Sequence, residues 1–259
     1  MSNVAGALLT FAGFFLATLA FIEAGLRAGR RALAGPDSSR PAGLGTVETV
    51  AFGLLGLLLA FTFSGAASRF EARRALIVEE ANDIGTAWLR LDVLPPAFQP
   101  PLRDAFRRYT DSRILTYAKV AAGDIAGGRA EYARGVAIQN EIWAGAVAAC
   151  RAAPSQATIV LFPALNAMID ITTTRMAATD MHPPKIIYFV LGGISLVCAL
   201  LVGYEMGAST ARSWLHVVGF AAILAFTLYV ILDFEYPRIG LIRVEDFDKY
   251  LVQVRASMK

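Results

Sequence analysis

Residues Thr49–Ser68 read TVAFGLLGLLLAFTFSGAAS, and RFEARR, Arg69–Arg74, follows without a break. A stretch of twenty residues free of Asp, Glu, Lys and Arg therefore runs straight into three arginines and a glutamate. At 1.5 Å per residue a helix of that length reaches about 30 Å, the thickness of the hydrocarbon layer of a bilayer. The apolar run is continuous rather than alternating, so it reads as a spanning helix and not as a barrel strand. Val4–Ile22, Ile186–Tyr204 and Ser213–Leu232 are charge-free in the same way. All 24 basic and 21 acidic residues lie outside these four stretches. Over the whole chain 17% of residues are charged, against about 25% in a soluble domain. The composition excludes a wholly soluble enzyme, a disordered chain and a secreted disulfide scaffold.

The first span lacks a basic flank before it and exceeds a signal-peptide core, so it reads as a retained helix. Net charge is +3 with no long basic run, which gives nucleic-acid binding no support. Cys150 and Cys198 lie in different regions, one polar and one mid-span, which argues against a disulfide or a metal pair. Two histidines without an acidic or thiol cluster argue against zinc. No metal and no cofactor are expected.

Working outward gives an all-α membrane protein with four transmembrane helices and a large helical extramembrane domain between the second and third. The expected divisions are a first helix at 1–26, a link at 27–48 and a second helix at 49–68. A helical domain at 69–183 follows, then helices at 184–205 and 213–233 and a tail at 234–259. Two crossings return the chain to its starting side, so the N-terminus, the insert and the tail share one side. On that side and near the membrane are Arg69, Arg73, Arg74, Arg175, Lys185, Arg238, Arg243 and Lys249. The opposite links hold Arg27, Arg30, Arg31, Arg40 and Arg212. The larger count places the insert and both termini in the cytoplasm.

Within the insert the second helix is expected to continue to Pro95. Leu102, Phe106, Tyr109, Ile114, Tyr117 and Ala118 then form one face of another helix, ended by Gly123, Gly127 and Gly128. Tyr132, Val136, Gln139, Asn140 and Trp143 lie on a third helix. Ser155–Ala178 reads as a fourth, kinked at Pro163. His182-Pro183-Pro184 stops it.

No G-x-S-x-G, Walker loop, H-E-x-x-H or dinucleotide fingerprint is present, so no enzyme is expected. No ionisable residue sits at a span centre, which argues against a proton relay or ion-coupled transporter. On the second span Leu55, Leu59 and Phe63 recur every four residues. In an oligomer such a face forms an apolar ring that gates ions by dewetting, and the same spacing suits a face laid on lipid or on a neighbouring helix. Thr62 and Ser64 offer hydroxyls instead. Gly53, Gly56, Ala60, Ser64, Gly65 and Ser68 permit close helix packing.

Two polar strings lie beyond the spans. In EEANDIGTAWLRLDVLP, Glu79–Pro95, Glu79 and Glu80 with Asp83 read as salt-bridge partners of Arg73 and Arg74 rather than as a metal site. In DFEYPRIGLIRV, Asp233–Val244, Pro237 and Gly240 force a turn, and Asp233 or Glu235 is placed to pair with Arg238 or Arg243.

With LLLAFTFSGAASRFEARR at Leu57–Arg74, PALNAMID at Pro163–Asp170 and Arg175 after it, these strings resemble the bestrophin-like family of bacterial membrane proteins. The order and spacing match from about Thr46 to the tail. The resemblance implies a multi-pass protein of the bacterial inner membrane. By way of bestrophins it implies a pentameric anion channel, with the second span lining an apolar neck and the helical domain continuing the pore. Leu55, Leu59, Thr62 and Phe63 are then neck candidates. Arg69, Arg73, Arg74, Glu79, Glu80, Asp83, Asp233, Glu235 and Arg238 are candidates for the pore mouth or for contacts between subunits. The partners implied are the lipid bilayer, further copies of the chain and inorganic ions. No dense acidic run like the calcium clasp of animal bestrophins is present. The other reading is a non-conducting scaffold or sensor whose helical domain binds a partner.

Overall fold

The computed structural model describes residues 2–34, 44–154, 159–208, 213–237 and 241–259. It is 88% helix, with no strand among the described residues. In chain order the helices are α1 (Ser2–Leu33), α2 (Leu44–Leu89), α3 (Gln99–Ala121), α4 (Ile125–Ala152), α5 (Leu161–Asp180), α6 (Lys185–Met206), α7 (Trp214–Glu235) and α8 (Lys249–Ser257). Among the described residues four helical stretches are long and apolar enough to cross a membrane. Each of the charge-free runs coincides over most of its length with one of these stretches. The all-helical class and the four apolar helices stand as the sequence implied.

Helix α2 has 46 residues and is about 69 Å long, more than twice the hydrocarbon thickness. A single 3-10 turn at Arg90–Val93 ends it, because Leu94 must be extended ahead of Pro95. Helix α3 carries Pro100 and Pro101 in its first turn, where no N–H partner is lost.

Two details differ from the sequence reading. Gly123 ends α3 with φ +86°, but Gly127 and Gly128 lie inside α4. The Asp124 carboxylate caps α4 by accepting from the Gly127 N–H at 2.8 Å. Pro163 falls in the first turn of α5, so it starts that helix rather than kinking it. The inward stripe of α4 is Gly135, Ile138, Gln139, Ile142, Ala146 and Ala149, while Val136 and Trp143 are exposed. Small residues let α4 approach its neighbours, and small residues carry little hydropathy signal.

The chain forms two compact units: Met1–Arg69 with His182–Ile242, and Phe70–Met181 with Arg243–Lys259. In the first, α1 and α6 meet backbone to backbone. A Cβ on Gly25 would stand 1.9 Å from the Leu200 carbonyl oxygen, and one on Gly203 1.9 Å from that of Ile22. Gly29 and Gly207 repeat the contact one turn further on. The small-xxx-small pairs GLRAG and GYEMG therefore face each other. Leu55 and Ala66 of α2 pack with Leu191 and Cys198 of α6 and with Leu224, Leu228 and Ile231 of α7.

The second unit has a core of Ile84, Trp88 and Leu91, Leu102, Phe106 and Tyr109, Ile138 and Ile142, and Leu161, Leu165 and Met168. Full burial of each large apolar side chain contributes about 1.5–3 kcal/mol. The C-terminal segment adds Leu251 and Met258 to this core. Arg255 holds it there by donating to Asp111 at 2.7 and 3.1 Å.

Candidate functional site

The period of α2 determines which residues share a face, and packing determines which face turns inward. Leu55 is 4% exposed and fills the core of the first unit. Leu59 is half-buried against the same cluster. Thr62, one position round, donates its hydroxyl to the Leu58 carbonyl at 2.7 Å. Phe63 is exposed and meets the Phe234 ring edge-on at 5.7 Å. The opposite face carries exposed Leu54, Leu57 and Phe61, with Ser64 and Ser68 continuing it. Leu55 thus fills the core of its own unit, and Leu59 packs half-buried against it.

At the end of the charge-free run, Arg69 reaches across to Glu235 at the end of α7. Its Nε donates to the two carboxylate oxygens at 2.9 and 3.2 Å, and its Nη2 donates as well. Glu235 is buried, and His182 Nδ1 lies 3.3 Å from its Oε2. The His182 ring packs on Tyr236 at 4.8 Å. Asp233 accepts from the Tyr229 hydroxyl at 2.8 Å and from the backbone N–H groups of Leu241 and Ile242 at 3.0 and 2.7 Å. Its carboxylate ties Leu241 and Ile242 to the end of α7. Arg238 lies outside the described residues.

In the second unit Glu80 is completely buried among cations. Arg113 Nε donates to its Oε1 at 2.5 Å, and Arg175 Nη1 donates to its Oε2. Arg113 also donates to the Tyr117 hydroxyl, which donates on to Glu80 at 3.3 Å. The Arg175 guanidinium lies 3.9 Å over the Tyr117 ring, and its other nitrogen is 3.9 Å from Asp248. Burial alone would raise the Glu80 carboxyl, but the charges of Arg113 and Arg175 outweigh it and hold it below the usual carboxylate range.

Of Glu79, Glu80 and Asp83, Glu80 forms salt bridges, with Arg113 and Arg175 rather than with the intrahelical partners expected. Arg74 pairs with Glu71 at 2.5 Å and lies over the Phe247 ring. Arg73 donates to the carbonyls of Ala178 and Met181 at 3.0 Å each. Glu80 sits on the inward face of α2, whereas Glu79 is exposed. No group of three or more His, Cys, Asp or Glu able to hold a metal occurs among the described residues.

Asp83 has its carboxyl raised, by burial and then by Glu79 and Glu80. A raised carboxyl favours the folded state below the ordinary carboxylate value and opposes it as the pH rises through the folded one. Asp83→Asn is therefore expected to stabilise the protein at pH 7 by about 0.2–0.5 kcal/mol, the range for a like-charge i,i+4 pair. The gain should vanish at low pH. Urea unfolding at pH 7 and pH 3 measures it, and equal gains at both would contradict the charge explanation.

Fold and geometry define an all-helical, multi-pass membrane protein with a charge-locked helical unit. The chain belongs to the bestrophin-like family, whose Bestrophin-like domain profile matches residues 5–247. No curated protein and no solved structure matches it.

Proposed function

We propose that the protein is a homo-oligomeric ion channel of the bacterial inner membrane, pentameric and anion-conducting, with α2 lining the pore. Family membership supports the class. The observation that carries the placement of the pore is the free apolar face of α2, Leu54, Leu57 and Phe61, opposite the face that packs at home. In a ring of subunits this face forms the constriction, with the hydroxyls of Ser64 and Ser68 following it. Of the neck candidates read from spacing, Phe63 keeps an exposed position, and Leu57 and Phe61 replace Leu55 and Leu59. The helical unit Phe70–Met181 then lies outside the membrane, on the cytoplasmic side with both termini, and its arginines and carboxylates hold it rigid. The activity is passive permeation and not catalysis.

The test is mass and class averages in detergent, then chloride flux in liposomes. A five-fold ring is expected. Phe61→Ala and Leu57→Ala are expected to raise flux by widening the constriction. Leu55→Ala is expected to cost about 2–5 kcal/mol of stability and to leave the flux of the folded fraction unchanged. Wild type and both pore variants inert in flux, in a protein of verified fold, would remove the channel.

A second reading, a non-conducting scaffold or sensor, is favoured by one surface of the helical unit. Leu89 is 68%, Ile159 62% and Val160 46% exposed. Arg90 holds the patch together by donating Nη1 to the Val160 carbonyl at 2.6 Å. A monomer or dimer by mass would favour this reading.

A further inference from the structure

Helix α2 keeps one side of itself uncovered along its length. Eighteen residues make about five full turns, so positions eighteen apart share a face. Leu57, Phe61, Ser64 and Ser68 are exposed, and so are their counterparts Ala75, Glu79, Asn82 and Thr86. The inward side repeats in the same way: Leu55 and Ala66 are buried, and so are Arg73 and Ile84. The face proposed to line the pore is therefore succeeded, on the same helix and about 27 Å further on, by a carboxylate, an amide and a hydroxyl.

The charge of that carboxylate is uncompensated. The uncovered stripe Leu57, Phe61, Ser64, Ser68, Ala72, Ala75, Glu79, Asn82 and Thr86 contains no lysine or arginine. Among the described residues no cation pairs with Glu79, because each nearby arginine is engaged elsewhere. Arg73 turns inward to the carbonyls of Ala178 and Met181, and Arg74 pairs with Glu71. From the elements packed against this part of α2, Arg113 of α3 and Arg175 of α5 go to Glu80, with the Tyr117 ring beside both. Asp248, ahead of α8, lies by Arg175. Asp83, one turn after Glu79, is half-buried, and its carboxyl is raised by burial and then by Glu79 and Glu80.

We infer that Glu79 makes ion permeation acid-dependent: its copies, brought around one axis by α2, form a negative ring that opposes anions at neutral pH and yields when protons neutralise it. The inference rests on the reading that α2 lines an anion pore, and adds the regulation of that pore. A ring of like charges around a narrow passage acts on a passing anion as one field. Carboxylates gathered around one axis also disfavour one another's charge, so part of the ring is protonated by pH 5. Each proton comes from water and is returned to it as the pH rises, so the effect is reversible.

The experiment is chloride flux from liposomes holding the full chain, with pH 7 or pH 5 on both sides. Wild-type flux is expected to rise about threefold on going to pH 5. Glu79→Gln, a change at an exposed position, is expected to raise flux at pH 7 about fivefold and to remove the rise at pH 5. Asn82→Asp, which adds a carboxylate to the same face, is expected to lower flux at pH 7. Asp170→Asn removes a carboxylate from the exposed side of α5 and should behave as wild type.

Glu79→Gln with the flux and pH dependence of wild type overturns the inference and leaves the anion channel standing. An equal gain from Asp170→Asn overturns it too, since surface charge in general would then be the cause. A chloride flux that falls in Glu79→Gln also overturns it, and sodium flux lost in the same variant would take the anion reading with it. Wild type and Glu79→Gln both inert at both pH values, in protein of verified fold, would remove the channel and its regulation together.

Discussion

Glu80→Ala is expected to destabilise the Phe70–Met181 unit by about 3–5 kcal/mol, the cost of removing one partner from a buried ion pair. Glu80, Arg113 and Arg175 are 0%, 2% and 7% exposed. Without the carboxylate two guanidinium groups stay inside the core, with the Tyr117 ring beside both and Asp248 3.9 Å from Arg175. Their side chains cannot swing out, because Arg113 is anchored mid-helix on α3 and Arg175 on α5. Glu80→Gln keeps the shape and one acceptor and should lose somewhat less. Replacing Arg113 and Arg175 by methionine in the Glu80→Ala background should recover part of the loss, since a buried triad is often matched by an apolar one.

The pH dependence has a definite sign. The folded carboxyl of Glu80 is depressed, so its contribution is complete above the unfolded value of about 4.3. That contribution is lost as the pH falls through the folded value below it. Wild type should keep this contribution from pH 7 to pH 5 and lose it in stronger acid, and Glu80→Gln should lack that acid loss. Urea unfolding followed by Trp88, buried in the same core, reads both effects. A loss below about 1 kcal/mol for Glu80→Ala would refute the role assigned to the cluster.

Gly203→Leu should prevent α1 and α6 from meeting, and even Gly203→Ala should be costly. A Cβ there stands 1.9 Å from the Ile22 carbonyl oxygen and 2.9 Å from the Leu26 nitrogen. These neighbours are backbone, so relief requires a helix to move rather than a side chain to turn. Overpacking typically costs about 1–3 kcal/mol, and this contact belongs at or beyond the top of that range. Gly25→Ala, facing Leu200 at 1.9 Å, should behave alike.

Gly193→Ala is the control. It meets nothing within 4 Å and should be neutral or gain up to about 1 kcal/mol from helix propensity. Thermal melting in detergent compares the three. If Gly203→Ala melts with Gly193→Ala, the backbone crossing of α1 and α6 is not what holds the first unit.

Much of this protein is legible in its sequence. The four charge-free runs, the unbroken passage from Ser68 into Arg69 and the polar strings determine the helical class, the four apolar helices and the family. They do so because span length and charge exclusion are properties of contiguous residues, which bilayer thickness reads directly. The GLRAG and GYEMG pairs emerged only from the structure, where each glycine meets the other helix's backbone.

Tertiary packing decided the rest. Spacing groups Leu55 with Leu59 but is the same whether that face looks toward an axis or into the unit's own core. Contact with Leu191, Leu224 and Leu228 settled the direction. Glu80 found its cations 33 and 95 residues away, and Glu235 found Arg69 at a separation of 166. A sequence lists such charges without saying which will share a low-dielectric interior. Local pattern determines elements, whereas ion pairs between elements and the direction of a helix face are settled only when the elements compete for the same buried space.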